Sequence, residues 1–245
     1  MTVELVFLAL LAIHVVFSLL VPASPDSLKS VRMRVLQIIA QAPIFWLAVY
    51  LGVKEGVFSR DLVSPVYLAL GLAIGHVTFA VSLLITHQSL VDTRSHLFDF
   101  GEIWNFAVSS PVVLTRFMGG AFAEELIYRA VAQPLLIAWL AHFISPPPGQ
   151  AVAGIGLTAA AFVLIHRDFF RNTALQGVEF VTFALLLGVL YYWTGSFVLV
   201  AVIHTVRNVE IAYLEYLNRA EELGDKNQAA EELERLYGPA RPEQS

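Results

Sequence analysis

The sequence predicts an all-α polytopic membrane protein, a transmembrane bundle of about seven helices. Hydrophobic residues make up 57% of the 245 residues and charged residues only 14%, whereas a soluble domain carries about 25% charged residues. The apolar residues occur in long runs rather than in short alternating segments, which favours helices over a membrane β-barrel. These observations predict one integral membrane domain at residues 1–217, followed by an exposed acidic C-terminal tail at 218–245.

Seven stretches are long and apolar enough for a spanning helix of about twenty residues. The fourth is too long for one straight span and contains Gly119-Gly120 and Pro134. We expect it to kink, to split into two helices or to run partly along the membrane surface. Prolines and glycines separate the other stretches, for example at Thr194-Gly195. The seven stretches cover about residues 3–21, 35–53, 63–86, 108–141, 151–166, 174–193 and 196–217.

The distribution of Lys and Arg predicts that the N-terminus lies outside the cell and the C-terminus in the cytoplasm. With this orientation the outer loops carry only Lys54 and Arg60. The inner loops carry the remaining loop bases, which are Lys29, Arg32, Arg34, Arg94, Arg167 and Arg171.

Composition also excludes some classes of function. No basic cluster with interleaved aromatic residues occurs, so nucleic acid is not an expected partner. The chain has no cysteine, which excludes a thiolate nucleophile and a cysteine-based zinc site. No phosphate-binding glycine loop occurs, and the Gly-x-Ser-x-Gly motif of many serine hydrolases is absent.

Charged residues stand inside the fourth apolar stretch, in the order Glu124-Glu125-Leu126-Ile127-Tyr128-Arg129. A charged group at the centre of a span costs about 3 kcal/mol and usually marks a function or a tight ion pair. Glu125 and Arg129 are four residues apart, so they share a helix face and can pair. Glu124 points about 100° away and can serve as a general base. The alternative is a structural ion pair beside a protonated or snorkelling glutamate.

Two further stretches contribute imidazole and amide groups. His166 closes the fifth stretch and shares a helix face with Phe162, although a single histidine at a helix end is also compatible with an interfacial role. His204 and Asn208 in the last stretch are four residues apart and share a face. Their alternative role is a hydrogen-bonded pair between membrane helices.

A fourth polar group comprises Glu179, Arg207 and Glu210. The tight turn at Thr194-Gly195 makes the sixth and seventh stretches antiparallel neighbours. Counting outward from this turn places Glu179 within about one helical turn of Arg207. We expect a structural salt bridge here and assign these residues no catalytic role.

Together, the glutamate, the two histidines and the asparagine are the parts of a hydrolytic site. Glu124 can deprotonate a water molecule. As an alternative, Glu124, His166 and His204 can hold a divalent metal such as zinc. Imidazole and amide donors can stabilise the oxyanion of a tetrahedral intermediate.

Three short motifs in this order resemble the CAAX-processing and bacteriocin-processing (CPBP) family of intramembrane proteases, which includes the type II CAAX prenyl endopeptidases. The motifs are Glu-Glu-x-x-x-Arg at 124–129, Phe-x-x-x-His at 162–166 and His-x-x-x-Asn at 204–208. The stretch from Gly188 to Ser196 is similar to the family's approach to its third motif. The resemblance covers about residues 110–210. Ala130 departs from it, because many members carry glycine there.

The resemblance implies a helical membrane core with a polar catalytic cavity open to the cytoplasmic side. It implies that Glu124 activates water with help from His166, and that His204 and Asn208 form the oxyanion site. Because the family is described with both glutamate and metal chemistry, the resemblance leaves a metal cofactor open. The expected partners are membrane lipid and a peptide or protein substrate, prenylated or membrane-bound. The supporting residues that it implies are Glu125, Arg129 and Phe162.

Family resemblance leaves the substrate open. Eukaryotic members clip prenylated CAAX proteins, whereas prokaryotic members are linked to peptide processing and bacteriocin immunity. This chain is more similar to the prokaryotic group, which predicts the inner membrane of a prokaryotic cell as its location. Two other functions compete with proteolysis: a non-catalytic peptide-binding or bacteriocin-immunity protein, and a proton or ion carrier that uses Glu and His as relays. A carrier is disfavoured because the sequence has no pair of related halves.

Overall fold

The computed structural model describes residues 2–20, 31–58, 64–85, 98–166 and 173–237. All regular structure in these ranges is helical, and the predicted all-α fold class is confirmed. A π-helix, Leu126–Ala132, lies between two of the α-helices. The α-helices are α1 (Val3–Leu20), α2 (Val31–Lys54), α3 (Pro65–Ile85), α4 (Phe100–Ser109), α5 (Pro111–Glu125), α6 (Gln133–Leu140), α7 (Pro147–Ile165), α8 (Ala174–Thr194), α9 (Phe197–Leu223) and α10 (Lys226–Tyr237).

Five of the described helices, α1, α3, α7, α8 and α9, are long and apolar enough to cross a membrane. A sixth candidate consists of α4 and the run Pro111–Leu140, which are bent by 98° relative to each other. Helix α2 contributes a shorter apolar segment, Ile39–Lys54. The predicted number of seven spans is therefore approximate.

The orientation prediction depends mainly on loop residues for which the structure gives no placement. Five of the basic residues that determine it lie outside the described residues, namely Lys29, Arg60, Arg94, Arg167 and Arg171. An outside N-terminus and a cytoplasmic C-terminus therefore stay predictions.

The fourth apolar stretch is one continuous helical run, because α5, the π-helix and α6 follow each other directly. Its sharp bend lies at Ser110, at the start of the stretch, rather than at Gly119-Gly120. Pro134 does not interrupt the run, and it lies at the start of α6, directly after the π-helix.

The tight turn predicted at Thr194-Gly195 is present between α8 and α9. Gly195 has a φ of 65°, in the left-handed region that glycine adopts without steric strain. Ser196 Oγ then accepts a hydrogen bond from the backbone N–H of Leu199 at 3.2 Å. This bond caps the first turn of α9.

The chain forms two compact units. Unit 1 comprises Met1–Tyr67 and Ala123–Val200, and unit 2 comprises Leu68–Phe122 and Ala201–Ser245. Helices α3, α5 and α9 each begin in one unit and end in the other.

In unit 1, polar and small residues bring neighbouring helices together. Lys54 at the end of α2 pairs with Glu4 at the start of α1, with Nζ 2.6 Å from Oε1. Helix α7 packs closely on α6 because Gly154 faces Ile137, and a Cβ at position 154 would overlap with that side chain. Small residues of this kind are typical of close contacts between membrane helices.

Unit 2 has an apolar core to which the C-terminal segment contributes. The segment predicted as an exposed tail from residue 218 differs from that expectation, since α9 continues to Leu223 and α10 buries one face. The apolar residues of α10 recur at helical spacing, which is typical of a helix that packs on a core. The buried members of the core are Phe106, Val113, Ala212, Tyr213, Tyr216, Ala229, Ala230 and Leu233.

Helix α10 also caps the amino end of α5. Glu234 Oε1 accepts hydrogen bonds from the backbone N–H groups of Val112 at 2.8 Å and Val113 at 3.2 Å. The first N–H groups of a helix have no partner within that helix, and a negative charge is favourable there because of the helix dipole. A residue far along the chain therefore supplies the cap that α5 lacks locally.

Both ends of α10 make additional polar contacts. Lys226 Nζ donates to Glu102 Oε1 of α4 at 2.6 Å, and this hydrogen bond raises the pKa of Lys226 above its usual value. At the other end, Arg116 of α5 donates to the carbonyl oxygen of Tyr237 at 2.8 Å. The helix is thus connected to α4 and to α5.

We expect Glu234→Ala to lower the free energy of unfolding by about 1 to 2 kcal/mol, because two N–H groups of α5 lose a charged acceptor. Chemical unfolding in detergent measures this change. The matched control is Glu231→Ala on the exposed face of α10, for which we expect a change within about 0.5 kcal/mol. Equal effects of the two substitutions would contradict the capping role.

Candidate functional site

Glu124 and Glu125 are the last two residues of α5, and the π-helix follows directly. π-Helical turns are rare and occur frequently at functional sites. The side chain of Glu125 is fully buried, whereas that of Glu124 is 29% exposed. The two adjacent acids therefore lie in different surroundings.

The ion pair predicted from spacing, between Glu125 and Arg129, is present and buried. Arg129 Nη1 lies 3.3 Å from Glu125 Oε1, and Nη2 donates to the carbonyl oxygen of Ala184 in α8 at 3.2 Å. The guanidinium group also lies over the ring of Phe162, 4.2 Å from its centroid. Buried charges require such partners, and the face of an aromatic ring attracts a cation.

Phe162 connects this ion pair to His166. Its side chain is fully buried, and its ring centroid lies 5.5 Å from Tyr128, 5.6 Å from Phe180 and 4.4 Å from His166. The His166 ring also contacts Phe180 edge-on, at 5.1 Å. Aromatic rings on α7 and α8 therefore surround the imidazole.

His166 follows the last residue of α7, and its ring orientation is set by a backbone hydrogen bond. Its Nδ1 lies 2.7 Å from the carbonyl oxygen of Phe162. Since a carbonyl can only accept, Nδ1 carries a proton, and Nε2 is an acceptor whenever it is not itself protonated. Nε2 lies 3.7 Å from Glu124 Oε1, which is longer than a hydrogen bond. Both groups are close enough to contact one water molecule.

The side chain of Gln133 was not singled out from the sequence, although it stabilises the same region. It is buried at the end of the π-helix, and its Nε2 donates to the carbonyl oxygen of Gly188 in α8 at 2.9 Å. A Cβ at position 188 would lie 3.0 Å from Gln133 Oε1 and 2.9 Å from Ile155 Cγ2. The sequence does contain a sign of this role, because Gln133 is an uncharged polar residue inside an apolar run.

His204 and Asn208 lie one helical turn apart on α9, in unit 2. His204 is buried and Asn208 is partly buried. Unit 1 thus contains Glu124 together with His166, and unit 2 contains the other two predicted catalytic residues.

The fourth polar group, which comprises Glu179, Arg207 and Glu210, is distributed over both units. Glu210 hydrogen-bonds His76 of α3 within unit 2, a contact that the sequence did not suggest. The salt bridge between Glu179 and Arg207 stays a prediction.

Within the described ranges, no group of three His, Cys, Asp or Glu side chains is arranged to hold a metal ion. Glu124 and His166 supply two donor groups in unit 1, whereas a catalytic zinc site uses three protein ligands. These two residues alone therefore do not fit a resident metal. Ligation by Glu124, His166 and His204 together stays a prediction.

We expect Arg129→Ala to lower the free energy of unfolding by about 3 to 5 kcal/mol, because it removes the guanidinium group that pairs with the buried Glu125 carboxylate. The double variant Glu125→Leu/Arg129→Met should recover most of this loss, since it removes both charges. Reversible unfolding in mixed micelles measures both values.

The matched control for this prediction is Arg219→Ala, which breaks the partly exposed pairs of Arg219 with Glu222 and Glu232. Such pairs contribute about 1 kcal/mol or less. A loss at Arg129 no larger than the loss at Arg219 would show that the buried pair does not stabilise the fold.

Residues 106–209 match the family model described as type II CAAX prenyl endopeptidase Rce1-like. The matched range contains all three motifs that carried the resemblance seen in the sequence. No curated protein and no solved structure matches the chain. The family description indicates a CAAX-type protease, and the apolar helices indicate an integral membrane protein. Residues 106–209 of the chain are therefore similar to the Rce1-like family of type II CAAX prenyl endopeptidases.

Proposed function

We propose that this protein is an intramembrane endopeptidase that hydrolyses a peptide bond near the cytoplasmic membrane face. The observation that carries the proposal is the arrangement of Glu124 and His166 in unit 1. Their side chains lie 3.7 Å apart, and the bond from Nδ1 to the Phe162 carbonyl leaves Nε2 of the neutral imidazole as an acceptor. A carboxylate and an imidazole in this arrangement can activate one water molecule.

In the proposed reaction, Glu124 takes a proton from this water while its oxygen attacks the carbonyl carbon of the scissile peptide bond. His166 orients the water through Nε2. The tetrahedral intermediate collapses when the carbon–nitrogen bond breaks, and the proton held by Glu124 passes to the leaving amine. The products are a carboxylic acid, whose proton then passes to the amine, and the amine; the carboxylate of Glu124 is regenerated.

The proposed roles of His204 and Asn208 rest on the sequence motif. Their N–H groups would stabilise the negative charge that develops on the carbonyl oxygen in the transition state. The one-turn spacing on α9 is compatible with two donors that act on the same atom.

We propose a peptide or protein substrate that is prenylated or otherwise membrane-bound, as the family description suggests. Large apolar side chains such as Val152 and Trp193 are exposed on the spanning helices, which is typical of surfaces that face lipid. A substrate with a lipid group can reach such a protein by diffusion within the bilayer.

We expect Glu124→Gln to lower kcat by at least about 100-fold, because an amide cannot accept the proton from water. The purified protein is incubated with a prenylated CAAX peptide, with the same peptide lacking the prenyl group and with a broad peptide library. Mass spectrometry then identifies the products.

The matched control is Glu221→Gln, an exposed glutamate on α9, which should cleave as the wild type does. Because the proposed reaction requires no metal, a chelator should leave kcat unchanged. Loss of activity with a chelator and recovery with Zn²⁺ would replace the glutamate mechanism by a metal mechanism. If no product depends on Glu124, a non-catalytic peptide-binding or immunity protein becomes the better explanation.

Removal of the oxyanion donors gives a separate prediction. We expect His204→Ala and Asn208→Ala each to lower kcat by about 100- to 1000-fold with little change in KM, since these contacts form mainly in the transition state. Steady-state kinetics on the cleaved peptide measure both constants. An equal rise in KM with constant kcat would instead assign these residues to substrate binding.

A further inference from the structure

Unit 2 contains a polar pair that lies outside the three motifs. His76 is in the middle of α3, and its Nδ1 hydrogen-bonds Oε1 of Glu210 on α9. Glu210 is only 5% exposed, and both residues lie in helices that can span a membrane. Ionisable groups at such positions are costly and usually functional.

The pair is not a fully satisfied hydrogen-bond network. Among the described residues, the buried atoms His76 Nε2 and Glu210 Oε2 have no hydrogen-bond partner. The rings of Phe98 and Phe100 lie 5.6 and 6.0 Å from the imidazole. If packing alone mattered here, two apolar side chains would stabilise the contact as well or better. The single directional bond therefore points to a role in specifying geometry.

Helices α3 and α9 approach closely one turn away from this bond. A Cβ at Gly75 would lie 2.8 Å from Val206 Cβ and 3.1 Å from the carbonyl oxygen of Ile203. Only glycine allows the two backbones this separation. The close contact sets the distance between the helices, and the hydrogen bond sets the rotation of α9 about its axis.

This rotation matters because of what lies on the opposite side of α9. Val206 and Glu210 face α3. His204 lies two residues before Val206, and Asn208 lies two residues before Glu210. At 3.6 residues per turn, this offset corresponds to about 200° around the helix. His204 and Asn208 therefore lie nearly opposite the face that α3 holds.

We propose that His76 and Glu210 are a positioning pair, which fixes the rotation of α9 and with it the direction of His204 and Asn208. The inference rests on the proposed function, in which these two residues bind the oxyanion.

The required precision follows from the dimensions of a helix. Side chains extend the helix to a diameter of about 10 to 12 Å, so a rotation of about 10° moves a side-chain tip by about 1 Å. A misplacement of about 1 Å can cost about 100-fold in rate. A modest rotation of α9 would therefore be sufficient to impair the reaction.

The test uses the double variant His76→Leu/Glu210→Leu, in which an apolar contact replaces the hydrogen bond. We expect thermal stability at or above that of the wild type, because no buried polar group loses its partner. We expect kcat to fall at least 10-fold with KM within twofold, since the oxyanion donors are no longer oriented. Glu210→Gln, whose amide can still bond to the imidazole, should recover most of kcat.

Two controls and a second variant accompany this test. Glu221→Leu on α9 and His142→Leu, both exposed, should cleave as the wild type does. If the double variant fails to fold, Gly75→Ala provides the test instead, since its Cβ displaces α9 while His76 and Glu210 are unchanged. We expect the same selective fall in kcat.

A folded double variant with the kcat of the wild type would overturn the positioning role and leave the proposed protease intact. If the double variant does not fold, an unchanged kcat in Gly75→Ala would have the same meaning. Absence of any Glu124-dependent cleavage by the wild type would overturn both. A fall in kcat that Glu210→Gln reverses supports the pair as a positioning device.

Discussion

The burial of one guanidinium group determines much of the structure around the candidate site. Arg129 is almost completely buried in a helix that the surrounding sequence makes apolar. A charge in such a place is stable only with several partners, and here they come from three directions: the Glu125 carboxylate, the Ala184 carbonyl and the Phe162 ring. These partners tie the π-helix to α7 and α8. Because Phe162 also contacts His166 through its ring and its carbonyl, the same group indirectly holds the imidazole near Glu124.

Spacing along the sequence predicted the local parts of this arrangement. Glu125 and Arg129 are four residues apart, and a helix brings such residues together whatever the rest of the chain does. The same applies to Phe162 and His166, although the carbonyl bond that orients the ring depends on the end of α7. The Ala184 carbonyl and the ring of Phe180 come from another helix. No periodicity within one segment can identify partners of this kind.

Two features of the fold differ from the expectation for definable physical reasons. The fourth stretch was expected to kink, to split into two helices or to run partly along the membrane surface, because it contains Gly119-Gly120 and Pro134, which weaken an isolated helix. The helical run nevertheless continues through both, and Pro134 follows directly after the π-helix. The C-terminal segment was predicted to be exposed because of its net charge. The charged residues, however, lie mainly on the exposed face of α10. Ala229, Ala230 and Leu233 form a narrow apolar face on α10, and a few such residues are sufficient to place a charged helix on a core.

The cap that Glu234 provides has a consequence for the order in which the protein is assembled. The helix that carries Glu124 begins at Pro111, but the carboxylate that satisfies its first N–H groups is translated 122 residues after Val112. A chain that is still on the ribosome therefore holds α5 with an incomplete amino end. The cap at the amino end of α5 is complete only after α10 has been synthesised and has docked.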